Sequence, residues 1–190
     1  MSDPFQDPAQ VAEWARKHAA REPGLRPVND AVLDAAAVGP EVRVLDLAAG
    51  TGALACAAAA RGAHVTGIDT SQAMLDLAPD CGATFQIGDM ATPPTGPWDA
   101  IVCRFGAHHA PDGWIAACAD VLATGGRMAI AEWSPDAKRF AKGDHGAHMH
   151  TRSGDDWARL LEAAGLTTTA QTVPLEDGDV FVVSGQRMSQ

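Results

Sequence analysis

Residues 42–52 read Val-Arg-Val-Leu-Asp-Leu-Ala-Ala-Gly-Thr-Gly. A β-branched apolar run ends in an acid, Asp46, and breaks into a turn of small residues from Ala48 to Gly52. The alanine-rich stretch Ala53 to Ala60 that follows has the composition of a helix. Strand, tight turn and helix in this order let a ligand approach backbone N–H groups and the positive end of the helix.

The chain on either side repeats this alternation. Before it, Asp7-Pro8 reads as an N-cap acid with proline at the first helical position, opening a helix that carries Val11, Trp14, Ala15 and His18. A second helix is expected from about Pro27 to Val38, stopped by Gly39-Pro40. Residues 1–39 then form a helical N-terminal cap. After the opening turn, His64–Asp69 is a second strand, Ser71 caps a helix with Met74 and Leu75, and Ala83–Ile87 is a third strand. Ala100–Cys103 is short, wholly apolar and hence central. Pro111 opens a helix, Gly125-Gly126 turns into strand Met128–Glu132, and Ser153-Gly-Asp-Asp156 forms a capping box. Leu166–Val173 and Val180–Ser184 close the chain as two strands joined too tightly for a crossover, so one of them runs antiparallel. The fold class is α/β: a doubly wound, mostly parallel sheet with helices on both faces.

Composition excludes several functions. The 190 residues suit one domain, and 46% apolar with 20% charged residues is ordinary for a globular protein. A formal charge of −10 disfavours nucleic acid or an anionic membrane as partner. The N-terminus lacks the apolar core of a signal peptide, and a cytoplasmic location is expected. Cys56, Cys81, Cys103 and Cys118 contain no Cys-x-x-Cys pair, and four buried, reduced thiols are expected.

Gly50-Thr-Gly52-Ala-Leu-Ala55 fits G-x-G-x-x-[GA], and Asp69 follows at the end of the next strand. Both suit a dinucleotide site. Asp46 argues against one, because a carboxylate aimed at a pyrophosphate repels it by a few kcal/mol at an effective dielectric of about 20. A ligand with a positive centre and an ammonium group suits that acid.

With Asp46 included, Asp46-Leu-Ala-Ala-Gly50-Thr-Gly52 resembles the first motif of the class I S-adenosylmethionine-dependent methyltransferases, [DE]-x-[GA]-x-G-x-G. Val65-Thr-Gly-Ile-Asp69-Thr70-Ser71-Gln-Ala-Met74, Gly88-Asp89-Met90 and Trp98-Asp-Ala-Ile-Val-Cys-Arg104-Phe105 resemble its later motifs in the right order. His108-His109 ahead of a Pro-Asp helix start, and Leu122 to Glu132, are similar to the small-molecule branch that includes quinone-biosynthesis methyltransferases. The likeness covers residues from about 40 to 185. It implies seven strands with the last inserted antiparallel, S-adenosyl-L-methionine as cofactor, and methyl transfer to a small molecule by in-line displacement.

Carried over, the resemblance places Gly50 and Gly52 against the methionyl part of the cofactor, with Ala48 in the same turn. It sets Asp46 towards the amino group, Asp69 on the ribose hydroxyls with Thr70 beside it, and Asp89 on the adenine amine. Met90 offers its backbone N–H to the ring, Met74 packs on the adenine face, and the backbone of Arg104 and Phe105 meets the methionyl end. His108 or His109 is the candidate catalytic base, or else one bonds the turn while the other packs under the helix. Glu132 is placed to bind an acceptor or to orient a histidine. No metal is expected; His145, His148 and His150 are read as part of a lid loop over residues 133–152. Trp14 and Trp133 read as core or lid packing. A cyclisation or rearrangement enzyme using the same cofactor, a nicotinamide oxidoreductase and a non-catalytic cofactor-binding module are the competing classes.

Overall fold

The computed structural model describes residues 4–137 and 152–189. Its helices are α1 (Pro8–Ala19), α2 (Arg26–Ala35), α3 (Ala53–Ala59), α4 (Gln72–Leu75), α5 (Trp114–Val121) and α6 (Gly154–Ala163). The strands are β1 (Arg43–Leu47), β2 (His64–Asp69), β3 (Thr84–Ile87), β4 (Trp98–Arg104), β5 (Leu122–Trp133), β6 (Leu166–Leu175) and β7 (Gly178–Arg187). They form one sheet in the order β3-β2-β1-β4-β5-β7-β6. β1 lies between β2 and β4, parallel to both, and is buried from Val44 onward. β7 runs antiparallel to β5 and to β6, and is inserted between them. The doubly wound sheet with one antiparallel strand is as expected.

Alternation along the strands divides the core. Val44, Val65, Val102 and Ala131 face α2 and α3, whereas Leu45, Leu47, Ile101 and Ile130 face α5 and α6. The local stop and start signals act where the sequence places them. The Asp7 carboxylate accepts from the N–H groups of Ala9 and Gln10 at 2.8 and 3.2 Å. Ser71 accepts from the Met74 N–H at 3.1 Å, and Ser153 and Asp156 complete a capping box.

Four expectations are revised. Helix α2 ends at Ala35, where Ala37 turns to φ +54°. Helix α5 starts at Trp114 because Gly113, at φ +87°, takes the cap position that Pro111 was expected to open. β5 reaches back to Leu122, so Gly125-Gly126 lies inside the strand at a register irregularity against β4. Finally, Cys56 and Cys81 are not reduced thiols: they form a disulfide, with Cα atoms 5.5 Å apart, joining α3 to the segment between α4 and β3. Proximity across that segment, invisible in the cysteine spacing, pairs them. Cys103 and Cys118 are free and buried, as expected. Among the described residues no helix is long and apolar enough to cross a membrane.

Candidate active site

The carboxyl ends of β1, β2 and β4 open into a cleft of about 1600 Å³. The turn after β1 forms its floor. Ala48 and Gly50 line it with positive φ angles of +52° and +55°, and a Cβ built on Gly50 meets nothing within 4 Å. The backbone is thus bare towards the cleft. Gly52, at φ +83°, does not line the cleft: it is buried, and a Cβ there would come within 2.7 Å of the Phe85 ring. This glycine admits Phe85 of β3 beneath the turn and holds the cap position of α3.

Asp46 is 1% exposed and lies against the cleft. Its Oδ2 has no hydrogen-bond partner among the described residues. Burial pushes its carboxyl up to about 7, against the opposing charge of Arg104 and an N–H of Ala55, and with a smaller upward push from Asp69. A buried polar atom without a partner costs roughly 1–3 kcal/mol, so this oxygen is built to receive a donor. Asp69 sits at the end of β2, accepting from the Gly50 N–H and the Ser71 N–H, both at 2.9 Å. It thereby ties the turn to the next strand while keeping its outer lone pairs. Thr70, buried Met74, exposed Asp89 and half-buried Met90 continue this wall. The Asp89 carboxylate accepts from the Ala91 N–H at 2.8 Å.

On the other side, β4 ends in Arg104 and Phe105, both of which line the cleft. Phe105 holds φ +59° and stacks on Trp133, ring centroids 5.2 Å apart. The Arg104 guanidinium is a finding the sequence did not suggest. It donates to both oxygens of Glu22, at 2.5 and 3.0 Å, and to Asn29 Oδ1 at 2.8 Å. This fork pins the 3-10 turn Glu22–Leu25 to the sheet. At the opposite edge Gln6 donates to the Thr70 carbonyl at 3.2 Å and Ser71 to the Phe5 carbonyl. The N-terminal segment is therefore tied at both ends of the cleft, and Phe5, Trp14 and His18 become part of its lining. No local pattern around Glu22 signals a partner 82 residues away.

His108 and His109 come from a 3-10 turn after β4, and both line the cleft. The His108 side chain is buried, and its Nδ1 lies 2.9 and 3.1 Å from the two oxygens of buried Glu132. The His108 backbone N–H also donates to Glu132, at 3.2 Å. A carboxylate at Nδ1 places the proton there and leaves Nε2 as the basic nitrogen. His109 is exposed, its ring 4.0 Å from that of His108 and 6.2 Å from that of Phe5. The histidines at 145, 148 and 150 lie outside the described residues. Among the described residues no group of acids, cysteines and histidines is arranged to hold a metal ion.

A family model described as methyltransferase domain matches residues 7–171. The ubiquinone biosynthesis O-methyltransferase of Dechloromonas aromatica is 29% identical over 157 residues, covering 75% of this chain and 68% of that protein. The protein of the same name from Hahella chejuensis is 28% identical, covering 80% and 70%. Among solved structures, an S-adenosylmethionine-dependent methyltransferase from Aquifex aeolicus superposes with a TM-score of 0.75 at 17% identity, over 96% of this chain and 99% of that one. Magnesium protoporphyrin IX methyltransferase from Synechocystis, solved with S-adenosylhomocysteine, gives 0.70 at 21%, over 86% and 84%. The fold and the site thus define a class I S-adenosylmethionine-dependent methyltransferase. The chain belongs to the methyltransferase-domain family, and S-adenosyl-L-methionine is its cofactor. The orphaned Asp46 oxygen and the bare backbone at Gly50 fit that molecule's ammonium and chain.

Proposed function

We propose that the chain methylates the oxygen of a small-molecule hydroxyl acceptor, with His108 as general base. The observation that carries this reading is the buried His108–Glu132 pair on the wall of the cleft. A thiol or an amine is nucleophilic enough without such help, whereas a hydroxyl gains from losing its proton as it attacks. The names of the two relatives support oxygen as the acceptor atom. The net charge of −10 supports a small acceptor over a nucleic acid.

S-adenosyl-L-methionine supplies a methyl carbon already activated by its sulfonium leaving group. The protein's work is to orient the acceptor, to exclude water and to hold one proton. Orientation supplies roughly 7–11 kcal/mol of barrier lowering when the reacting groups are well aligned. His108 Nε2 takes the hydroxyl proton, and Glu132 steadies the imidazolium so formed. His109, Phe5 and Trp14 serve as acceptor walls. In this reading Asp46 receives the ammonium group and Gly50 and Ala48 give backbone room. Asp69 accepts from the ribose hydroxyls with Thr70 alongside, Met74 covers the adenine, and Asp89 with the Met90 N–H reads its edge. The backbone of Arg104 and Phe105 borders the methionyl end.

The test uses methyl-labelled cofactor with a panel of small phenols, enols, amines and thiols. Label is expected on oxygen. His108→Gln should lower turnover by about 10²–10⁴-fold while leaving the Kd for S-adenosylhomocysteine within two-fold. Product without label would make the chain a cyclisation or rearrangement catalyst, and full activity in His108→Gln would remove the base.

A further inference from the structure

Asp46 pairs in register with Val102 across β1 and β4, and Arg104 follows two residues further on the same strand face. Diagonal neighbours in a sheet lie about 7–8 Å apart, within reach of a long side chain. A buried carboxylate with a guanidinium so close ordinarily accepts its two parallel N–H bonds. Here it does not. Asp46 Oδ2 has no hydrogen-bond partner among the described residues, while the Arg104 fork is filled by both Glu22 oxygens and by Asn29. The Arg104 side chain is 12% exposed and Asn29 is 8% exposed, so the guanidinium is largely shielded, while the Glu22 side chain that holds it is 35% exposed at the rim.

We propose that Glu22, assisted by Asn29, is a positioning residue that holds the Arg104 guanidinium away from Asp46 and so reserves this carboxylate for the ammonium group of the cofactor. The inference rests on the cofactor assignment of Asp46 given above. Without Glu22, Arg104 turns to the empty Asp46 oxygen and forms the bidentate pair, and an incoming ammonium must displace it. Arg104 at its present distance still acts on Asp46 as a charge, opposing the effect of burial. The other groups acting on Asp46 are Asp69 of β2 and the Ala55 N–H of α3, while the Cys103 thiol of β4 packs on the opposite face of the sheet and feels the Asp46 charge from there. Asn29 of α2 carries no charge, and Glu132 with His108 lies towards the opposite face of the sheet.

The pH dependence separates positioning from mere anchoring of the 3-10 turn. Only ionised Asp46 receives an ammonium, so affinity of the native chain for S-adenosylhomocysteine should climb with pH through about 7 and then level off. Calorimetric titration with S-adenosylhomocysteine from pH 5.5 to 8.5 compares the native chain with Glu22→Gln, Glu22→Asp and the double variant Glu22→Gln/Arg104→Gln. Glu22→Gln should bind at least ten-fold more weakly at pH 8, and its rise near pH 7 should vanish because Arg104 keeps Asp46 ionised. Glu22→Asp should keep the rise near 7. The double variant should recover affinity at pH 8.5, with the rise displaced to higher pH. Weaker binding of Glu22→Gln with the rise still near 7 would overturn the inference, as would unchanged affinity or a double variant weaker than the single at every pH. Absence of binding by the native chain at all pH values would instead remove the cofactor assignment itself.

Discussion

Ala48 and Asp46 show how much of the site lies in single residues. Ala48 sits at φ +52°, a region that costs an L-residue with a Cβ about 1–2 kcal/mol. The turn needs that angle whether or not glycine supplies it. The motif was legible because Asp46, Ala48 and Gly50 are close in sequence. A second constraint on Gly52, the Phe85 ring, was not legible because it arrives from β3. Asp46 also sets a pH dependence for the cofactor-free protein. Its folded pKa, about 7, lies above the ordinary value near 3.9, so the native state binds more protons than the unfolded state between them. Stability from this group is full below about pH 4 and is lost as pH rises through 7. Asp99 and Asp156, whose carboxyls are held low by Arg43 and by Ser153, act the other way only below about pH 4. Urea denaturation of the cofactor-free chain should therefore show lower stability at pH 8 than at pH 5.5, and Asp46→Asn should flatten that difference. An undiminished difference in Asp46→Asn would assign it to another group.

The starts of α1, α4 and α6 were legible because capping is local: Asp7, Ser71 and Ser153 each bond N–H groups within three residues. Strand ends were not, because pairing sets them. β4 extends back to Trp98 since Arg43 grips Asp99 from the neighbouring strand, at 2.9 to 3.1 Å. The same distinction explains the disulfide. Cys56 lies on α3 and Cys81 beyond α4, and only the packing of α4 and β3 around the turn brings them together. Closing a loop of 25 residues restricts the unfolded chain by about 3.5 kcal/mol. Reduction, or Cys56→Ser with Cys81→Ser, should lower the urea midpoint correspondingly. Four titratable thiols in the unreduced, denatured protein would show that the bridge does not form.

For the molecule as a whole, the alternation of strand and helix was sufficient for the class of fold, whereas the cleft was only half legible. One of its walls comes from strand ends marked by acids, Asp46, Asp69 and Asp89. Its other wall depends on contacts far apart in sequence, Glu22 with Arg104 and His108 with Glu132, and the N-terminal segment is tied across the cleft by Phe5 with Ser71. Long-range pairs of this kind leave no periodicity, so the sequence offered Glu132 either to an acceptor or to a histidine, and the contact with His108 Nδ1 decides it.

The inserted strand bears on how the chain reaches this state. β6 precedes β7 in the chain, yet its sheet neighbour is β7, which also covers β5. Until residues 178–187 arrive, β6 has no strand to pair with and β5 presents an open edge. The first five strands form a parallel unit, and the last two complete its edge together. Native-state hydrogen exchange should show amides of β6 and β7 opening as one cooperative unit, at lower free energy than those of β1 and β4. That unit also marks the hazard of synthesis, because an uncovered β5 edge is a template for the wrong partner.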